Sequence, residues 1–220
     1  MPLLNKQTVL EEVSEEKVLA EVSDKIKDFD ANFAKNSLSG GASGNVCDIS
    51  KIKTKADGTQ KKNGGQSCSF TQLGEIPDVS KMVSSLITSP NNGGTVKANT
   101  PFTVSVTTTN LELGNFDNPD TEYYLFSQQL NNQGLVKGHT HITIQQLTSN
   151  TSPPDARNFA FFKGLNDPSN SGSLSTSVAN GLPAGQYRVC TMTASFAHQP
   201  LIMPVAQRGS QDDCIRITAA

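Results

Sequence analysis

Gly138-His139-Thr140-His141-Ile142-Thr143-Ile144 is the stretch from which the fold is read. Side chains on a strand alternate faces, so His139 and His141 project together, roughly 6.7 Å apart along the chain. Ile142 and Ile144 project to the opposite, buried face. The histidines are therefore expected on the polar side of a sheet, where both imidazoles can reach one point above it.

The same short period runs outward from this segment. Phe102, Val104 and Val106 alternate with Thr103, Ser105 and Thr107, the pattern of a half-buried strand. Met82 to Thr88, Thr121 to Phe126, Leu174 to Val178, Gln186 to Met192 and Cys214 to Thr218 read as further extended segments. Turn residues separate them at Ser89 to Gly94, Gly114-Asn115 and Asn180 to Gly185. Phe159 to Phe162 is apolar on both faces and is expected in the core. Roughly seven short strands with turns between them indicate a mainly β chain, a β-sandwich, with a β-barrel as the alternative. The chain has no Trp, which excludes an antibody-type domain with its core tryptophan.

Composition narrows the class further. Only 35% of residues are hydrophobic and 17% charged, which suits a turn-rich β protein with a weakly charged surface. A formal net charge of −2 argues against a nucleic-acid binder, which needs a basic footprint. No apolar run approaches the ~20 residues needed to cross a bilayer. Met1-Pro2-Leu3-Leu4 leads straight into a polar segment, so the chain reads as a mature form from which a signal peptide is absent.

Three regions are expected. Residues 1–36 hold an N-terminal amphipathic helix. Residues 37–73 hold a Gly/Ser linker and a lysine-rich loop, and residues 74–220 the sandwich. Thr8 with Glu11 makes a capping box, and Leu19, Val22, Ile26, Phe29 and Phe33 make one apolar stripe. That stripe offers a surface for a partner or for self-association, and its acidic opposite face argues against membrane attachment. Asp57-Gly58 reads as a hairpin tip.

Cys47, Cys68, Cys190 and Cys214 fit no zinc-finger or Cys-x-x-Cys spacing. Two disulfides are expected, with Cys47–Cys68 and Cys190–Cys214 favoured because each closes a local loop, worth about 3 kcal/mol. Paired cysteines imply an oxidising compartment. The alternative is four buried thiols in a reducing one. Asn150-Thr151-Ser152 is a single glycosylation sequon.

His198 is the third and last histidine, in Ser195-Phe196-Ala197-His198-Gln199-Pro200 directly after the Cys190 strand. If the His139 strand lies alongside, His198 completes a three-nitrogen cluster, a recognised open arrangement for zinc or copper. The bland alternatives are a metal-free groove and histidines without function. Tyr123 and Tyr124 suit stacking on a sugar face, Gln199 sits beside His198, and Arg208 could meet an anionic group. Asp212, Asp213, Glu122 and Glu75 are the acidic candidates. Asp212 and Asp213 should face opposite ways if strand-like, so at most one points into a site, and Asp213 joins the ligand-binding set. No Gly-x-Ser-x-Gly or P-loop pattern occurs. Whether the centre is catalytic stays open.

Five segments carry a resemblance: Gly74-Glu75-Ile76-Pro77, Gly138-His139-Thr140-His141, Phe161 to Asn166, Leu182 to Thr191 and Pro204 to Cys214. Over about residues 74–218 the chain resembles a family of secreted filamentous-fungal proteins with no assigned biochemical activity. That resemblance implies an extracellular location and paired cysteines. The layout of a Gly-His strand, a Leu-x-Pro-Gly-x-Tyr-type turn and a His-bearing loop is similar to a bacterial immunoglobulin-like domain. It implies an immunoglobulin-like β-sandwich with His139, His141 and His198 meeting at one end or face. The leading expectation is a secreted protein that binds a divalent metal, or a small polar or glycan ligand, through those histidines. Its rivals are a non-catalytic protein of the cell wall or host interface, contacting wall polysaccharide, and a wall-polysaccharide hydrolase or lyase.

Overall fold

The structure is a computed structural model that describes residues 54–220. The helix expected at 8–34, the linker, Cys47 and Lys51 to Lys53 lie outside the described residues. Within the described residues nine strands follow one short 3-10 turn, Val79–Lys81: β1 (Ser84–Ser89), β2 (Thr95–Val96), β3 (Phe102–Thr109), β4 (Leu111–Glu112), β5 (Val136–Leu147), β6 (Phe161–Leu165), β7 (Ser173–Val178), β8 (Gly185–Ser195) and β9 (Cys214–Ala219). Among the described residues no helix is long and apolar enough to cross a membrane.

Two sheets form. One has three strands in the order β1-β3-β7, and the other runs β2-β9-β8-β5-β4 with β6 also paired to β5. The alternating residues of β3 face inward as Val104 and Val106, while Ser105 and Thr107 bond across to Ser175 and Ser173 on the outer face. Ile87, Val104 and Val106 of the small sheet share one core with Ile142, Ile144, Val189, Ile215 and Ile217 of the large one. Sheet packs on sheet because each has one apolar face to hide. Tyr187 closes one end of this core, its hydroxyl donating to the Pro183 carbonyl four residues upstream at 2.9 Å, a tyrosine corner. Beside the core, a chain of buried hydroxyls links the sheets, Thr140 to Thr193 at 3.3 Å, Thr193 to Ser85 at 3.4 Å and Ser85 to Thr108 at 3.0 Å.

β5 is the central strand of the site. It pairs antiparallel with β8 along one edge, and with β6 and, at its start, parallel with β4 along the other. Cys190 and Cys214, register partners on β8 and β9, form a disulfide. Cys68 is also disulfide-bonded.

Three sequence expectations fail here. Phe159 and Phe162 are 59% and 47% exposed rather than in the core. β6 pairs only with β5 and lies at the sheet margin, so its outward side chains have no second layer above them. Only Phe161 of that run packs on the core. Residues 121–126 are not a strand either. Tyr124 takes φ +62°, which breaks extension, and the segment pairs at one point, Tyr123 with Gly58. Gly58 itself is therefore a docking residue of the 54–73 segment rather than a hairpin tip.

Candidate metal centre

The centre is built on the outward face of the large sheet. His139 and His141 stand there as the alternation requires, opposite Ala194 and Met192 of β8, with Gly164 of β6 opposite His141. Ala194 and Gly164 are small and leave room beside the imidazoles. Gly138 permits the close strand pairing beneath it: a Cβ there would stand 2.1 Å from the Ala194 carbonyl oxygen.

His198 arrives from the turn that ends β8. Ser195 and Gln199 exchange a backbone bond of 2.9 Å, and the His198 amide donates to the Ser195 carbonyl at 2.9 Å. Such tight loops place a left-handed residue before the chain returns, and glycine or asparagine is the usual occupant. Here it is His198, at φ +69°. A left-handed non-glycine residue carries about 1–2 kcal/mol of backbone strain. Among the described residues the other non-glycine positive φ values belong to Asn99, Asn110 and Tyr124. The asparagines are ordinary, whereas Tyr124 and His198 both line one cleft. Strain gathered at one place is a signature of functional constraint.

Hydrogen bonding fixes the tautomers. His139 Nδ1 lies 3.1 Å from the Asn115 carbonyl and His141 Nδ1 lies 2.8 Å from the Met192 carbonyl. A carbonyl oxygen only accepts, so both Nδ1 atoms carry the proton and both Nε2 atoms present bare lone pairs. Those two Nε2 atoms face each other at 3.2 Å. Neutral rings in these tautomers have no hydrogen to place between them. Such a pair could hold a cation. Two ligands of a tetrahedral zinc at ~2.0–2.1 Å subtend about 3.3 Å, so the spacing fits. The donor atoms of His139, His141 and His198 all lie within 4.8 Å of one another. His198 Nδ1 is buried with no hydrogen-bond partner. Nδ1–H donation to a backbone carbonyl is the outer-shell arrangement that aims Nε2 at a metal.

The sequence placed the histidines on the polar side of the sheet. They are on the outward face, but His139 is 0% and His141 9% exposed. An aromatic ring covers each one: Phe116 meets His139 edge-on at 6.0 Å, Phe162 stacks on His141 at 5.2 Å, and Tyr123 lies 5.9 Å from His198. Burial pushes the His139 imidazole down to about 3, with the charges of His141 and His198 adding to it and the Asn115 bond opposing. Burial, followed by His141, lowers His198 to about 4. Burial also lowers His141, against the opposing pull of the Met192 bond and the Asp212 charge. The rings are thus neutral at physiological pH, the form that ligates metal, and a proton is a poor occupant of the gap.

A cleft of about 560 Å³ opens over His141 and His198. Tyr123 and Tyr124 line it, their rings stacked at 3.9 Å. Burial raises the Tyr123 phenol, and Tyr124 adds to the shift. Of the acidic pair, Asp212 lines the cleft. Asp213 turns away to accept from the Ile87 amide at 2.8 Å. Gln199 has a buried Oε1 without a partner. Arg208 is spent on the Val205 carbonyl and Gln211. Glu75 accepts from the Leu130 amide, and Glu122 from the Asn118 amide. Asn150 is exposed, its Oδ1 accepting from Arg216 at 3.3 Å.

Sequence reasoning missed Phe116, Phe162 and Asn166. A lone Phe or Asn in a loop or edge strand has no periodic signal, and only the packed chain brings them to the cleft.

Two comparisons bear on identity. Residues 85–220 match the model of the CLU5d N-terminal domain family. The chain is 43% identical over 169 residues to "Pathogenicity cluster 5 protein d" of the fungus Colletotrichum graminicola, an alignment covering 73% of this chain. It spans only 35% of that relative's length.

Proposed function

The chain belongs to the CLU5d N-terminal domain family, and from that premise we propose that this immunoglobulin-like domain binds a divalent metal ion, zinc or copper, through His139, His141 and His198. One observation carries the reading. Two buried Nε2 lone pairs, each fixed by a carbonyl behind its ring, face each other at 3.2 Å. Three neutral imidazoles suit both metals, and the geometry of the fourth position distinguishes them. The cleft side of the centre is where a small polar ligand would meet the ion.

The test is elemental analysis of protein purified without a polyhistidine tag, beside a His139→Ala/His141→Ala variant. About one equivalent in the wild type and none in the variant is the expected result. Equal, near-zero content after incubation with zinc and with copper would sink the proposal.

A second reading is an interaction role at the cell wall or host interface. It is favoured by the name of the Colletotrichum relative. The Cys190–Cys214 disulfide supports an oxidising, extracellular setting for it. Retention on chitin or β-glucan at two salt concentrations, surviving the histidine replacements, would favour this reading over the first.

A further inference from the structure

The cleft carries acceptors and aromatic walls that three-histidine ligation does not use. Asn166 Oδ1 is buried without a hydrogen-bond partner. Its amide occupies the space that the missing side chain of Gly164 leaves free, where a Cβ would stand 3.1 Å from Oδ1. Asp212 lies on the same cleft wall. Its Oδ1 accepts from the Thr191 hydroxyl at 3.0 Å and the Thr193 amide at 2.8 Å. Both donors converge on that one oxygen, so the carboxylate is held rigidly and its second oxygen stays available. Phe162 and the Tyr123–Tyr124 stack supply ring faces.

These groups define a ligand. Apolar ring faces and hydrogen-bond acceptors in one cleft call for a molecule with a C–H face and O–H donors. The fixed carboxylate opposes an anion. A divalent ion at the cleft floor opposes a cation, and this exclusion alone rests on the metal reading. The volume of about 560 Å³ lies in the range of small-molecule sites, ~300–1,000 Å³. We propose that the cleft binds one neutral pyranose unit of a glycan, its ring against Phe162 and Tyr124 and its hydroxyls donating to Asn166 and Asp212.

Calorimetric titration of the full chain, zinc-loaded and metal-free, with chitotriose, laminaritriose, mannotriose and trigalacturonate tests this. At least one neutral trisaccharide should bind, and the anionic trigalacturonate should not. Asp212→Asn keeps an oxygen for Thr191 and Thr193 but turns the free position into a donor. Asn166→Leu removes the orphan acceptor. Each should weaken binding about tenfold or more, the size of one lost hydrogen bond to a buried or charged group. Phe162→Ala, on an exposed side chain, should weaken it as well and guards against misfolding of the other two. No neutral trisaccharide bound at millimolar concentration, or affinity unchanged in all three variants, would overturn the proposal. Equal binding of trigalacturonate would overturn it too. A zinc titration run alongside separates the two readings, because zinc bound without sugar removes only this one, and sugar bound without zinc removes only the metal.

Discussion

Replacing His198 with glycine should leave the metal-free protein at least as stable while removing its response to zinc. His198 sits at φ +69°, which glycine adopts freely, so the substitution relieves about 1–2 kcal/mol of backbone strain. It also deletes a buried, unpartnered Nδ1, whose lost solvation is worth about 1–3 kcal/mol. Against this stand the ring contact with Tyr123, about 0.5–1.5 kcal/mol, and the greater freedom of glycine in the unfolded chain, about 0.5–1 kcal/mol. The balance lies between about 0.5 kcal/mol against the variant and about 4 kcal/mol in its favour. The assay is thermal unfolding in chelator, then with zinc. Zinc at a hundred times its dissociation constant adds about 2.7 kcal/mol, so wild-type Tm should rise about 5–10 °C and the variant's should hardly move. His198→Asn, which tolerates the left-handed turn, should follow glycine. A metal-free His198→Gly protein weakened by more than about 1 kcal/mol would refute the reasoning. The imidazole would then be a packing residue, and its strained backbone would say nothing about function.

Three further outcomes follow from the same geometry. In metal-free protein, His139 has its folded pKa lowered to about 3, so its contribution to stability is full above the unfolded value near ~6.5 and is lost as pH falls toward the folded value. Between pH 7 and 5 this one buried ring should remove about 2 kcal/mol, and His139→Gln should flatten the slope of urea midpoint against pH. Gly138→Ala would place a Cβ 2.1 Å from the Ala194 carbonyl oxygen, and the forced parting of β5 from β8 should cost about 1–3 kcal/mol and weaken zinc binding; unchanged zinc affinity would show that the strand spacing does not set the site. Fully buried Gln128 donates to the Glu75 and Ile202 carbonyls and accepts from the Ile202 amide, so Gln128→Leu should lower stability by about 3 kcal/mol, read from the urea midpoint, without changing zinc affinity per folded molecule.

Strand parity was legible in the sequence because it is a local, two-residue period. It put His139 and His141 on one face and Ile142 and Ile144 on the other. The same reasoning allowed at most one aspartate of the 212–213 pair to face a site, but it chose Asp213, whereas Asp212 lines the cleft and Asp213 is held by the Ile87 amide. Closeness of His198 was legible only on condition that the His139 strand lay beside the strand before His198, and the pairing of β5 with β8 meets that condition. Burial of the histidines was not legible. It comes from Phe116, Tyr123 and Phe162, which reach the site along the chain from three separate segments. Phe159 and Phe162 misled because an apolar run on both faces signals a buried strand only when a second layer exists on each side. At the margin of a sheet one face looks outward, and Phe162 uses it to cover His141.

That cover bears on the proposal that the histidines are more than core residues. A histidine kept for packing has both ring nitrogens satisfied or one left to solvent. Here three rings share one site, His139 and His141 buried and His198 half-buried. Two have their only protons committed to backbone carbonyls, and the third holds an orphan nitrogen in a turn whose backbone favours glycine. Leucine or phenylalanine in the same hollow would remove the facing lone pairs and the unpaired atom, and glycine at the turn would relieve the strain. Each local rule broken here would be mended by a commoner residue, and the breaches meet within 4.8 Å. Sites where sequence and local physics disagree together are expected to be functional or strained, and three neutral imidazole donors converging on one point support the proposed metal ion.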